Sequence, residues 1–250
     1  MRYWLHLFYV LISGFASFSQ KQISTQNHAW VMYTGNHRLN ENWGLHTEYQ
    51  WRRADLFNDW QQSLLRLGVD YCTKNNLQFT AGYGWIKTYE YGAQPVNHDF
   101  NEHRIWEQFI VKNSLGRIDL HHRYRLEQRF LEQWKQGDNG DLVTDGYVLR
   151  QRVRYRFMAT VPITRKEMAD NTLFLSAYDE PFIGFGKGIA KNVLDQNRLY
   201  FALGWRFNKD FNVQLGYMNQ FIFKSDGVNI ERNHTLQIGF TYNLDLQLKE

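Results

Sequence analysis

Cysteine, proline and long apolar runs are scarce in this sequence, and these absences exclude several classes of protein. The 250 residues include one cysteine, Cys72, which rules out an intramolecular disulfide framework and a cysteine-rich zinc site. Past residue 19 no apolar run is long enough to cross a bilayer as a helix. Three prolines, a charged fraction of 22% and a net charge of +4 do not describe a disordered acidic or basic tail.

The first nineteen residues have the pattern of a secretory signal peptide. A positive start is followed by a mostly apolar run over residues 3–16, and serines stand three and one places before Gln20. We therefore predict cleavage after Ser19 and export of a single domain formed by residues 20–250. The alternative for this segment is a buried N-terminal helix.

Aromatic residues are abundant, at 17% of the chain, and they alternate with polar residues. One face of the stretch from Trp43 to Arg52 is aromatic and aliphatic, and the other carries Gly44, His46, Glu48, Gln50 and Arg52. A repeat of two residues is the period of a β-strand, and strands of about 10–14 residues approach the length that crosses a membrane at a tilt. About eleven such segments follow one another: 28–38, 43–53, 61–72, 77–89, 102–112, 118–131, 147–161, 172–181, 196–207, 211–223 and 232–245.

The links between these segments alternate between short and long. Short polar links lie at 40–42, 73–76, 113–116 and 208–210, and longer ones at 54–60, 90–101, 132–146, 182–195 and 224–231. Short periplasmic turns and longer external loops are typical of outer-membrane barrels. We therefore predict an all-β fold, a transmembrane antiparallel β-barrel of about 10–12 strands, since bacterial barrels usually have an even number. The alternative is a soluble β-sandwich, which needs shorter strands and more frequent turns.

A transmembrane barrel places aromatic residues in two belts at the level of the lipid headgroups. The predicted belt residues are Trp43, Tyr71, Phe207 and Tyr242 near the short-turn ends of the strands, Trp51, Trp85 and Tyr147 near the long-loop ends, and Trp205.

Arginines are concentrated on one face of the hairpin formed by segments 118–131 and 147–161. An arginine facing hydrocarbon costs about 2–4 kcal/mol at mid-depth, so this face is predicted to line the lumen. Its residues are Arg123, Arg125, Glu127 and Arg129 on the first segment and Arg150, Arg152, Arg154 and Arg156 on the second, and the same parity adds Glu48, Glu102 and Arg104.

Two interpretations of this charged face remain open. In one, arginines and carboxylates form a charge-paired network that fills a narrow lumen. In the other, the face attracts small anions into a pore, because twelve inward arginines exceed six candidate carboxylates.

Four short runs of the sequence resemble those of a known family. They are Glu102-His-Arg-Ile-Trp-Glu-Gln108, His122-Arg-Tyr-Arg-Leu-Glu-Gln-Arg-Phe130, Asp195-Gln-Asn-Arg-Leu-Tyr200 and Gly216-Tyr-Met-Asn-Gln220. In their order and spacing they are similar to the family catalogued as domain of unknown function 2490, over nearly all of the mature chain. The resemblance implies an exported β-barrel-like protein of the Gram-negative outer membrane, and it supplies no catalytic residues.

The sequence contains no nucleophile-base motif. Membrane-embedded hydrolases need a serine beside an imidazole base, and Ser176 and Ser225 have no neighbouring histidine in sequence. His98-Asp99 is the one adjacent acid–base pair in a predicted loop. A metal site at His121 and His122 is unfavourable because adjacent strand residues point to opposite faces.

The predicted function is that of a non-enzymatic outer-membrane protein with an arginine- and glutamate-lined lumen. A small anion-preferring channel or uptake pore is the first alternative, and a membrane-embedded lipid hydrolase or acyltransferase is the second. Expected partners are outer-membrane lipids, the barrel-assembly machinery and, for the channel, a small anionic solute. Nucleic acid is not expected because the basic residues lie on an inward strand face. Neither a cofactor nor a metal is predicted.

Overall fold

A computed structural model describes residues 21–93, 96, 98–187, 189 and 191–247. The predicted signal peptide lies outside the described residues. Within these ranges the chain forms β1 (Gln22–Arg38), β2 (Trp43–Ala54), β3 (Asp59–Cys72), β4 (Leu77–Thr88), β5 (Phe100–Leu115), β6 (Ile118–Gln136), β7 (Leu142–Pro162), β8 (Thr172–Phe185), β9 (Leu194–Arg206), β10 (Phe211–Phe223) and β11 (Asn229–Tyr242). The described ranges contain no helix with the length and apolar character to span a bilayer.

The strands form where the sequence alternates, because a pleated strand sends successive side chains to opposite faces. On β2 the even-numbered side chains from Gly44 to Arg52 are buried, and the odd-numbered ones from Trp43 to Trp51 are exposed or half-buried. The strands close into one barrel, so buried side chains face its interior and exposed ones form its outer wall. The predicted all-β barrel is confirmed, and its strands pair antiparallel at every junction except that of β1 with β11.

Neighbouring strands pair antiparallel around the barrel except at one seam. There β1 pairs with β11 in parallel, from Gln22 beside Asn229 to Thr34 beside Thr241. This seam accounts for eleven strands, because a barrel made entirely of antiparallel pairs closes only with an even number. The count lies within the predicted 10–12, and residues 22–38 form one strand without a missed neighbour.

The links between strands lie at two ends of the barrel, which we call the turn end and the loop end. At the turn end the links are 39–42, 73–76, 116–117, 163–171 and 207–210, and at the loop end they are 55–58, 89–99, 137–141, 186–193 and 224–228. The prediction of a longer loop after β2 is wrong, since the link is a tight turn in which Asp55 and Leu56 have positive φ. The β7–β8 link is the longest at the turn end.

The β6–β7 hairpin contains the two longest strands, of 19 and 21 residues. Its register places Arg123 opposite Arg156 and Arg125 opposite Arg154. Between these positions the predicted arginine face therefore lies on the inner surface of the barrel.

Large aromatic side chains fill the interior where a glycine faces them. Trp106 is fully buried against Gly82, where an added Cβ would come within 2.8 Å of the indole ring. Gly216 lies in the same way beside Tyr200, whose ring would be 2.4 Å from an added Cβ. The inside of the barrel is packed in these places, and the charged network occupies the space between them.

Candidate functional site: the charged lumen

Glu127 is the most connected residue of the lumen. Its side chain is 0% exposed, and four arginines from three strands reach its carboxylate. The nitrogen–oxygen distances are 2.7 Å to Arg152, 2.8 Å to Arg154, 3.3 Å to Arg104 and 3.4 Å to Arg66. Charge-assisted hydrogen bonds of this kind are stronger than neutral ones.

Each of these four arginines also pairs with a second carboxylate, so the ion pairs form one network. The second partners are Glu48 for Arg66 at 2.6 Å, Glu102 for Arg104, Asp195 for Arg152 at 2.6 Å and Glu180 for Arg154 at 2.9 Å. Arg129 joins through Glu102 at 2.8 Å and Arg123 through Glu180 at 2.5 Å. Six arginines thus share five carboxylates.

Four further inward arginines make no ion pair within the described part of the chain, and each lies over an aromatic ring. The guanidinium carbon lies 4.0 Å from the Trp30 ring centroid for Arg52, 4.7 Å from Trp106 for Arg125, 5.4 Å from Tyr178 for Arg156 and 4.7 Å from Phe182 for Arg198. Cation–π contact stabilises a guanidinium without neutralising it. The buried network therefore keeps an excess of positive charge.

A cavity of about 260 Å³ lies between these side chains. Ten arginines and Lys112 line it, whereas its lining includes two carboxylates, those of Glu48 and Glu180. A second cavity, of about 400 Å³ at the turn end, shares the side chains of Asn36, Gln78 and Lys112 with the first. The positive cavity is thus adjacent to the turn end of the barrel.

At the loop end, Tyr91 of the β4–β5 link contacts the strands of the parallel seam. The phenol of Tyr91 donates a hydrogen bond to Glu231 of β11 at 3.1 Å, and its ring meets the edge of His28 on β1 at 5.6 Å. Burial, together with the nearby Glu231 carboxylate, raises the pKa of Tyr91 above its ordinary range. The side chain of Tyr91 therefore lies against β11 and β1, the two strands of the parallel seam.

The structure brings ten of the eleven predicted lumen residues together. Arg150 stands apart: it is exposed near the loop end of β7 and makes no ion pair with another described residue. By its place in the alternation Arg150 belongs to the inner face. However, β6 and β7 extend beyond the strands paired with them, β5 and β8, and no strand faces Arg150 across the lumen.

Asp195 belongs to the network although its sequence parity is outward. The pairing of β8 with β9 goes from Phe182–Gln196 to Ile183–Leu194, so Asp195 is the extra residue of a β-bulge. A bulge re-aims a side chain, which brings this carboxylate to Arg152. The alternation pattern gave no signal for it.

The outer wall carries the predicted belt residues. Seven of them, Trp43, Tyr71, Trp85, Tyr147, Trp205, Phe207 and Tyr242, are 37–49% exposed, and Trp51 is half-buried. Trp43 meets Tyr71 edge to face at 4.9 Å near the turn end. Trp51 packs against Trp60 at 6.2 Å near the loop end.

Two residues considered for catalysis, Ser176 and His98, contact residues other than each other. Ser176 is buried and its hydroxyl lies 3.2 Å from that of Thr160, and the ring of His98 lies 6.0 Å from that of Trp134. Among the described residues no group of three or more His, Cys, Asp or Glu side chains is arranged to hold a metal ion.

Fold and site together define a closed β-barrel with a charged, packed interior. A family model described as a protein of unknown function (DUF2490) matches residues 27–245, and the chain belongs to this family. Among solved structures, the chain is similar to the beta domain of the Bordetella autotransporter Brka, with 12% sequence identity and a TM-score of 0.45, over 76% of this chain and 80% of that one. No curated protein matches it.

Proposed function

We propose that this protein is a non-enzymatic β-barrel of the bacterial outer membrane whose lumen does not conduct ions. The observation that carries the proposal is the filled interior, in which six arginines and five carboxylates pair around Glu127. Tyr91 adds to this at the loop end, where it contacts both strands of the parallel seam. The lumen is then a pocket that opens toward the turn end.

The outer wall supports a membrane location. Large apolar side chains face outward on successive strands, among them Leu67 at 53% and Phe201 at 54% exposure. Exposing an apolar surface of this extent to water is unfavourable, whereas the acyl chains of outer-membrane lipids would cover it. Lipids and the barrel-assembly machinery are therefore the proposed partners, with export through the N-terminal segment cut after Ser19.

Planar-bilayer recording tests the closed lumen. We expect the purified barrel to insert without producing stable current steps, with a conducting porin in the same chamber as the positive control. Trp106→Ala empties part of the packed interior and is expected to produce a leak current. Regular steps from the unaltered protein would overturn the proposal.

A small anion-preferring channel is the second candidate, and the excess of arginine in the cavity lining favours it. Ten arginines line the cavity, whereas the carboxylates that pair with them number five. Should current steps occur, the reversal potential in a salt gradient decides this candidate. Anion preference would support it, and cation preference would exclude it.

A further inference from the structure

We infer that the turn-side half of the lumen holds a binding site for a small oxyanion such as phosphate, formed by Arg123, Arg125 and Arg156. The inference deepens the proposed function by naming a ligand class for the lumen pocket. The site it describes stands whether or not the barrel conducts.

The backbone register sets three like charges side by side. Arg123 and Arg156 are directly opposite each other on β6 and β7, and Arg125 follows two residues along on the same inner face. Like charges directly opposite on one face of a sheet repel each other. A negative partner between the strands would therefore stabilise the arrangement.

Carboxylates of the chain supply that partner only in part. Glu180 accepts a hydrogen bond from Arg123 at 2.5 Å, but it is also held by Arg154 at 2.9 Å. Arg125 donates to the neutral amide oxygen of Gln108, from Nε at 3.1 Å and from Nη2 at 2.7 Å. Of the three guanidinium groups, those of Arg125 and Arg156 thus have no ion pair with a described carboxylate, and that of Arg123 shares Glu180 with Arg154.

Several donors at this place remain unused. The Nε atoms of Arg123 and Arg156 are buried and have no hydrogen-bond partner. The guanidinium of Arg156 makes no hydrogen bond or ion pair with another described residue; it lies over the Tyr178 ring and is attracted by Glu180 only beyond ion-pair distance. Arg125 is 2% exposed, so bulk water reaches little of its surface. An oxyanion would satisfy these donors and offset the charge together.

The space and the chemistry suit an oxyanion. The cavity of about 260 Å³ is well above the 10–15 Å³ or so that one water needs. Arginine presents planar pairs of N–H groups that match phosphate and carboxylate oxygens. Lys112 and His121, which are opposite each other on β5 and β6, line the same cavity toward the turn end. The second cavity, at the turn end, shares the side chains of Asn36, Gln78 and Lys112 with this one, so an anion would enter from that side.

Calorimetric titration of the refolded, full-length barrel in detergent tests the site. At constant ionic strength, inorganic phosphate and sulfate are expected to bind saturably at one site, and chloride at least tenfold more weakly. Glycerol 3-phosphate serves as a soluble equivalent of a lipid headgroup. Binding of phosphate but not of glycerol 3-phosphate assigns the site to free anions, and tighter binding of glycerol 3-phosphate assigns it to headgroups.

Variants locate the binding within the lumen. Arg156→Gln is expected to weaken phosphate binding at least tenfold, while Arg150→Gln, an exposed arginine on the same face of the same strand, leaves it unchanged. Arg156→Lys keeps the charge, and heat-modifiable gel mobility reports whether each variant has folded. Absence of saturable binding, or equal binding by the Arg156→Gln and Arg150→Gln variants, would overturn the site.

Bilayer recordings on the same preparations keep this inference separate from the proposed function. A barrel that binds phosphate and also conducts overturns the closed lumen and leaves the site. A barrel that neither binds nor conducts overturns the site and leaves the closed lumen.

Discussion

Replacing Glu127 with glutamine tests the charged network at its centre. The substitution keeps the shape of the side chain and one oxygen acceptor, and removes the negative charge that four arginines share. Glu127 is 0% exposed, so water cannot take the place of the lost charge. We expect the variant to be less stable than the unaltered barrel.

The size of the expected loss in the free energy of unfolding depends on the carboxylates that still pair with the four arginines. Breaking a buried ion pair by removing one partner costs about 3–5 kcal/mol. Each of the four arginines keeps a second carboxylate, so we expect the lower end, about 3 kcal/mol. At about 1.4 kcal/mol per factor of ten, this is roughly a hundredfold change in the unfolding equilibrium constant.

Urea unfolding in lipid vesicles, followed by tryptophan fluorescence, measures this loss. Glu107→Gln is the matched control, because Glu107 is an exposed glutamate on the outer wall whose carboxylate accepts one hydrogen bond, from Gln128 at 3.2 Å. The control is expected to lose no stability, since it removes a charge that faces lipid. A loss below about 1 kcal/mol for Glu127→Gln, or equal effects of the two variants, would refute the reasoning.

Three further predictions concern the packed interior, the outer wall and the loop end. Gly82→Ala would place a Cβ 2.8 Å from the Trp106 ring and should lower the free energy of unfolding by about 1–3 kcal/mol. Gly239→Ala, with its nearest contact at 3.9 Å, should leave the free energy of unfolding unchanged. Equal unfolding curves for the two variants would contradict this prediction. Leu67→Arg on the outer wall should cost about 2–4 kcal/mol in vesicles, and a neutral result would argue against lipid contact there. Tyr91→Phe should remove one late-ionising tyrosine from an alkaline absorbance titration, because burial and a carboxylate on β11 raise the pKa of its phenol. A raised phenol pKa stabilises the fold at neutral pH, and this contribution falls as the pH rises past about 10, where the unfolded tyrosine ionises.

Sequence alternation predicted which residues face the lumen, because the side-chain period of a strand is two wherever the strand is regular. It failed where that regularity ends. Asp195 sits in a bulge that reverses its expected face, and Arg150 lies where β7 continues past the opposite wall. The alternation of apolar and polar residues reveals neither the position of a bulge nor the residue at which a strand extends beyond the lumen.

The pairing partners inside the site depended on three-dimensional information. The sequence predicted an excess of arginine, but which arginines share Glu127 and which lie over aromatic rings follows from the stagger of the strands. The sequence also could not predict an odd number of strands. The alternation in β1 indicates a strand, but it does not indicate that β1 pairs in parallel with β11, which is what allows eleven strands to close.

The parallel seam has a consequence for the order of folding. Residues 22–34 pair with residues 229–241, more than two hundred positions later in the chain. All other neighbouring strands in the barrel are consecutive in the chain and can pair as hairpins. The β1–β11 pair joins the two ends of the sheet, so we expect it to form after the other strands have paired. Until then β1 presents an open edge with unpaired N–H and C=O groups. We therefore expect closure of the seam to be a late step of folding, with the edge of β1 as the place where a folding helper or a misdirected strand would act.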